Sequence, residues 1–158
     1  MPLRRNPVVR RQSDGRFSLV LPQDQREVMV RLLGDLDELL VESPDDPSTR
    51  RLQPPAYLHD PDRDMGYQLL AGEELRASRH AAIEASIDAI GRASLTEDEL
   101  WAWAQSLNAL RLVVGTRLGI EQDDYPRPSD PDDENAPFWA VLDFTSEVQY
   151  WVLKALGG

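Results

Sequence analysis

Residues 101–120, WAWAQSLNALRLVVGTRLGI, form the most apolar stretch of the chain. Thr96 precedes this stretch and Glu99 follows three residues later, a spacing typical of a capping box at the start of a helix. Gly119 is suited to end the helix, because glycine readily adopts the left-handed conformation of a C-cap. The sequence therefore predicts a helix over about residues 97–118, with one face buried in a core.

Three other segments have the same helical periodicity. Apolar residues recur at intervals of three and four residues over 22–42, 61–93 and 137–158. Gly72 lies inside the second segment and is expected to divide it into a short helix and a longer one. The pattern predicts a mainly α protein, a helix bundle of four to five helices.

The N-terminal segment has a different pattern. Two runs rich in β-branched and aromatic residues flank Asp14 and Gly15, and an Asp-Gly pair is a strong signal for a tight hairpin turn. We predict a small β-hairpin over residues 7–21, with a disordered tail as the alternative. The helical domain is then expected over residues 22–158, with an acidic, proline-rich loop at 121–136.

Charge is distributed unevenly along the chain. The formal net charge is −11, yet residues 1–16 carry five arginines against Asp14 alone. An acidic body repels nucleic acid and anionic membranes, so contact with nucleic acid is expected only through this basic arm. The arm residues that we predict to bind a partner are Arg4, Arg5, Arg10 and Arg11.

The composition disfavours several functional classes. The chain has no cysteine and two histidines, and it contains no glycine-rich phosphate loop and no nucleophile or zinc motif. We therefore expect no enzymatic activity, no cofactor and no metal site. We find neither an uninterrupted apolar run near the ~20 residues of a membrane span nor a signal peptide, so we expect a cytoplasmic protein away from the membrane.

Polar residues interrupt the apolar helix. Asn108 and Arg111 fall on one row with Ala104 and Gly115, at the edge of the predicted buried face, whereas Arg117 falls roughly on the opposite face. One interpretation is a structural network in which Arg111 pairs with a carboxylate and Asn108, because an unpaired buried charge is costly. The other is an anion site formed by Asn108, Arg111 and Arg117. The candidate carboxylates are Asp64, Glu73, Glu74 and Asp143.

Two tryptophans stand at the start of the same helix. Trp101 and Trp103 cannot face the same way on a helix, so one of them is at best partly buried. Because tryptophan is enriched at interaction hot spots, both are candidates for contact with a partner.

Four sequence segments resemble one actinobacterial family. The pattern W…LN.LRL..GTRLG within residues 103–119 resembles its signature, and RLQPPAY at 51–57, ELRASR at 74–79 and LGDLDELL at 33–40 resemble other segments of the domain-of-unknown-function family number two thousand and seventeen. The family often has an acid where this chain has Ala109. The resemblance implies no activity and no catalytic residues. It suggests two partners, a ClpS-type adaptor and the transcription machinery.

Two functional hypotheses follow. The preferred one is a non-catalytic helical adaptor or regulator that binds another protein, with homodimer formation as one form of that binding. The alternative is a transcriptional regulator that contacts DNA or polymerase components through the basic N-terminal arm. The two differ in which surface binds, the acidic bundle or the arm.

Overall fold

The computed structural model describes residues 4–53, 61–120 and 130–157, and gives the backbone alone for residues 61–64, 67 and 68. The predictions for 1–3, for 54–60 and for the loop residues 121–129 therefore lie outside the described residues. The described part is mainly α, with a small antiparallel sheet formed by the N-terminal hairpin and one further strand. The elements are strands β1 (Val9–Arg11), β2 (Phe17–Leu19) and β3 (Ser94–Leu95), helices α1 (Gln23–Glu42), α2 (Pro61–Arg92), α3 (Glu97–Arg117) and α4 (Ala136–Gly157), and a 3₁₀ helix (Pro47–Leu52).

The predicted hairpin is present and is extended by a third strand. β1 pairs antiparallel with β2, with Val9 opposite Leu19, and Gly15 has a φ of 85° in the turn. β2 also pairs with β3, which places Phe17 opposite Leu95. The third strand was not expected, because two residues are too few to show a strand period.

Helix α3 begins and ends with the predicted signals. The Thr96 hydroxyl accepts a hydrogen bond from the Glu99 backbone N–H at 3.1 Å, and the Glu99 carboxylate accepts one from the Thr96 N–H at 2.8 Å. Gly119 has a φ of 76°, and its N–H donates to the carbonyl of Thr116, while Ile120 N–H donates to that of Gly115. These two bonds form a Schellman motif, which ends the helix at Arg117.

Helix α2 is continuous through Gly72, so the prediction of a break there is wrong. An interior glycine costs roughly 1 kcal/mol relative to alanine. Residues that favour helix surround it, and the helix packs against both α1 and α3, which offsets that cost.

The core lies around α3, which packs against α2, α4 and the 3₁₀ helix. Trp103, Leu107 and Leu100 of α3 are fully buried. Val9 and Phe17 of the hairpin are buried in the same cluster, so the N-terminal strands share one core with the helices. Among the described residues, no helix is long and apolar enough to cross a membrane.

Candidate functional site

Arg111 is directed towards α4. Its Nε donates to the hydroxyl of Ser146 at 3.0 Å, and its Nη1 donates to the amide oxygen of Gln149. Within the described part of the chain, no carboxylate forms an ion pair with Arg111. The predicted carboxylate partner is therefore replaced by two neutral acceptors on α4; the side chain of the candidate Asp64 lies outside the described residues.

Asn108 is directed towards α2 instead. It is exposed and lines a pocket between α2 and α3. The structure records no hydrogen bond between the side chains of Asn108 and Arg111 across the described ranges. Three residues on a helix turn the side chain by about 60° from exact alignment. That angle separates Asn108 from Arg111 onto two different contacts of α3, so the predicted joint network is not formed.

Arg117 is exposed, and its guanidinium carbon lies 5.3 Å from the centroid of the Phe138 ring on α4. This is the distance of a cation–π contact. Arg117 therefore lies on a third contact of α3, and the three polar residues form no common anion site.

The arginines of the basic arm contact the protein itself. Arg4 stacks over the Trp151 ring at 5.6 Å and Arg11 over the Phe17 ring at 5.0 Å. Arg10 donates through Nε to the carbonyl of Asn6 at 3.3 Å. Arg5 is exposed. The arm is thus held against the bundle rather than extended from it.

The Asn6 side chain fixes this position of the arm. Its Nδ2 donates to the carbonyl of Trp151 at 2.9 Å, and its Oδ1 accepts from the backbone N–H groups of Val8 and Val9. One side chain therefore ties the start of β1 to α4.

The two tryptophans separate as the helical geometry requires. Trp101 is 48% exposed, whereas Trp103 is fully buried. Trp103, which we grouped with Trp101 as a candidate for partner contact, therefore belongs to the core. Its Nε1 is buried and has no hydrogen-bond partner in the described part of the molecule.

A groove runs between α1, α3 and α4, with a volume of about 440 Å³. Its apolar surface is formed by Leu36, Val113 and Val114, together with Phe138 and Val141 of α4. We call this feature the acidic groove, because three exposed carboxylates of α1 line its edge. They are Asp35, Glu38 and Glu42.

The carboxylates of the acidic groove form one row along α1. Asp35, Glu38 and Glu42 are separated by three and four residues, and none of them forms an ion pair with another described residue. The predictions from the sequence did not include these three residues. A signal existed, since these acids recur at helical spacing beside the leucines of the same helix.

A second polar contact joins α1 to α2. His80 Nδ1 lies 2.8 Å from Asp37 Oδ1, and its Nε2 lies 3.1 Å from Glu84 Oε1. The hydrogen bond that the His80 ring donates to Asp37 raises the pKa of His80 above its ordinary value, helped by the charges of both carboxylates. Three or more His, Asp or Glu side chains placed to hold a metal ion do not occur in the described ranges.

Comparison with known proteins adds a family and no further relative. No curated protein and no solved structure matches the chain significantly. The sequence model of one family, described as "Domain of unknown function (DUF2017)", matches residues 5–156.

Proposed function

The chain belongs to the DUF2017 family, and we propose that it is a non-catalytic interaction protein whose acidic groove binds a basic, amphipathic helical segment of a partner protein. The observation that carries the proposal is the combination in one groove of an apolar surface and a row of three carboxylates that form no ion pair with another described residue. The proposal places this binding in the cytoplasm, a reducing compartment in which a fold without disulfides is the ordinary case.

The shape of the acidic groove supports a helical ligand. It lies between two helices, with α3 as its floor, and an amphipathic helix binds such a groove by inserting its apolar face. Val113 and Val114 are nearly fully buried beneath it, whereas Phe138 and Val141 are partly buried at its side. A ligand would therefore remove further apolar surface from water, which contributes roughly 25 cal/mol per Å².

Charge supports a basic ligand. Asp35, Glu38 and Glu42 would lie beside the polar face of the bound helix, and the net charge of −11 attracts a cationic segment at long range. Arg117 lines the same groove, but its guanidinium is stacked on Phe138. The basic residues of the ligand are therefore expected to lie along α1.

The contacts of the arm favour the groove over the arm as the binding surface. The contacts of Arg4, Arg10 and Arg11 with Trp151, Asn6 and Phe17 hold the arm against the bundle, which restricts the directions from which DNA or polymerase could reach it. The carboxylates of the acidic groove are exposed and form no ion pair with another described residue. A ClpS-type adaptor, a component of the transcription machinery and a second copy of this chain are the first partners to test.

The experiment is site-specific photo-crosslinking in a lysate of the native cells. A photoreactive residue would replace Val141 in the groove or Tyr150 on the same helix, which is 56% exposed. We expect one protein to be crosslinked from position 141 and not from 150, with the crosslink mapped to a segment rich in Lys or Arg. Equal capture at both positions, or a crosslink to nucleic acid, would contradict the proposal.

Charge reversal provides the matched control. A protein carrying E38K and E42K is expected to lose about tenfold in affinity for the captured segment, because each exposed charge contributes up to about 1 kcal/mol. E73K with E74K reverses two exposed charges of α2 outside the groove and should leave affinity within about twofold. If both pairs weaken binding equally, only the net charge matters and the groove is not the site.

The arm needs its own control. Deleting it would remove β1 and its buried Val9, so arginine substitution is the cleaner change. R4Q with R5Q is expected to leave the crosslink from position 141 unchanged. Loss of the crosslink in this variant would favour the arm-mediated alternative.

A further inference from the structure

A separate pocket of about 240 Å³ lies between α2 and α3. Ser78 and Arg79 line it from α2, and Gln105 and Asn108 line it from α3. Leu75, Ile83 and Leu112 supply apolar surface to the same space. We call this the α2–α3 pocket; it shares no lining residue with the acidic groove.

Arg79 is the unusual member of this pocket. It is partly buried, and burial lowers the pKa of its guanidinium below the ordinary value. Within the described ranges, no hydrogen bond and no ion pair is recorded for its side chain. A guanidinium that loses water without gaining a partner is costly, and proteins normally pair such a group.

The neighbouring polar groups are also available. The side chains of Ser78, Gln105 and Asn108 are exposed to the pocket, and the structure records no hydrogen bond for any of them within the described part of the chain. Among the described residues that line the pocket there is no carboxylate. One cation, two amide groups and a hydroxyl therefore line the same space, with no anion beside them in the described part of the chain.

We propose that the α2–α3 pocket binds a small carboxylate with a short apolar chain, with Arg79 and the Asn108 amide holding the carboxylate and Leu75 and Ile83 contacting the chain. A planar guanidinium can donate two parallel hydrogen bonds to a carboxylate. One cation matches a monoanion better than a phosphate dianion. The volume lies below the roughly 300–1,000 Å³ of drug-sized ligand sites, which restricts the chain to a few carbons.

The first test is a titration followed by ¹H–¹⁵N NMR of the full chain. The probes are isovalerate, its neutral analogue isovaleramide, and inorganic phosphate. We expect saturable shifts from isovalerate at the backbone amides of Ser78, Arg79, Gln105 and Asn108. Isovaleramide and phosphate should bind at least about tenfold more weakly. Equal binding of the amide would show that charge is not recognised, and equal binding of phosphate would overturn the assignment to a carboxylate.

The second test compares two arginines of the same helix. R79Q is expected to weaken isovalerate at least about tenfold, whereas R76Q removes the same charge from an exposed position outside the pocket and should change binding less than about twofold. Both proteins carry the same net charge. Equal effects of the two substitutions would overturn the proposal. The absence of saturable shifts from isovalerate at millimolar concentrations would overturn it as well.

A third variant keeps the test valid if R79Q folds poorly. N108D supplies a carboxylate to the pocket while changing little volume. We expect it to abolish isovalerate binding and to raise the thermal midpoint, because the new carboxylate pairs with Arg79. Retained isovalerate binding in N108D would contradict the placement of the ligand beside Asn108.

Discussion

A partly buried arginine lies on each of two sides of α3, and the two differ in their hydrogen-bond partners. On the side of α4, the guanidinium of Arg111 is satisfied by Ser146 and Gln149. On the side of α2, Arg79 lies partly buried in the pocket that Asn108 also lines, without a hydrogen-bond or ion-pair partner in the described ranges. A guanidinium thus joins α3 to α4 by hydrogen bonds, whereas between α2 and α3 a guanidinium lines a pocket. Pairing indicates a structural role, whereas a desolvated charge without a partner indicates a place for a ligand.

The largest effect is expected at Trp103, a core residue of α3. W103A should reduce the free energy of unfolding by about 3–5 kcal/mol, because the ring is fully buried and its removal leaves a cavity. W101A on the exposed side of the helix should cost less than about 1 kcal/mol. Urea denaturation of both variants measures the difference. A large loss in W101A would show that its exposed ring stabilises the fold.

The contrast between the two arginines can be tested directly. R111A should cost about 1.5–3 kcal/mol, because it removes hydrogen bonds from a charged donor and leaves Gln149 without its partner. R79A should change the free energy of unfolding by less than about 0.5 kcal/mol, since it removes an unpaired charge. Urea denaturation without ligand measures both. If R79A proves as costly as R111A, the two sides do not differ.

The start of α3 provides a smaller, calibrating effect. T96A removes the hydroxyl of the capping box and should cost about 1 kcal/mol. S106A removes a hydroxyl whose one hydrogen bond within the described residues goes to the carbonyl of Ala102, one turn earlier in the same helix, so we expect a smaller change. Thermal unfolding of the two variants gives the order. A larger effect in S106A would mean that the cap does not anchor the helix.

The smallest effect concerns the contact between α1 and α2. The pKa of His80 is raised in the folded state by Asp37, so its stabilising contribution is fully present below the unfolded value of 6.5 and is lost as pH rises through the folded value. Stability should therefore fall slightly above pH 6.5 through this group. H80Q should flatten that part of the stability–pH curve. Urea denaturation across pH 6–9, roughly the range around an ordinary histidine pKa, measures this slope. If the slope in H80Q equals that of the unmodified protein, the contact is not a source of the pH dependence.

Elements with a local signal were predictable from the sequence. The capping box of Thr96 and Glu99, the glycine at 119 and the Asp-Gly turn act within a few residues, and each appears in the structure. The family resemblance rested on four segments, one of them in α3, and is confirmed over residues 5–156. Local chemistry thus defined both the helix boundaries and the family.

Features that depend on tertiary contact were not predictable. The row that joined Asn108 to Arg111 on a helical wheel could not show that α2 and α4 approach from different sides. The predicted break at Gly72 followed from the low helix propensity of glycine alone, whereas α2 is continuous because packing against its neighbours stabilises it. To predict the pocket around Arg79, one would need to know which side chains form no hydrogen bond or ion pair in the folded protein. That property belongs to the assembled bundle rather than to any segment.

The bond between Asn6 and the carbonyl of Trp151 links two groups that leave the ribosome far apart in time. At about 5–20 residues per second, the 145 positions between them correspond to roughly 7–30 s of synthesis. β2 also lacks its partner strand β3 during this time, because Leu95 is synthesised long after Phe17. The apolar side chains of the hairpin are therefore synthesised well before the residues of α4 and β3 that cover them. These side chains therefore stay exposed while the chain is being synthesised, and this is the stage at which a chaperone would bind it.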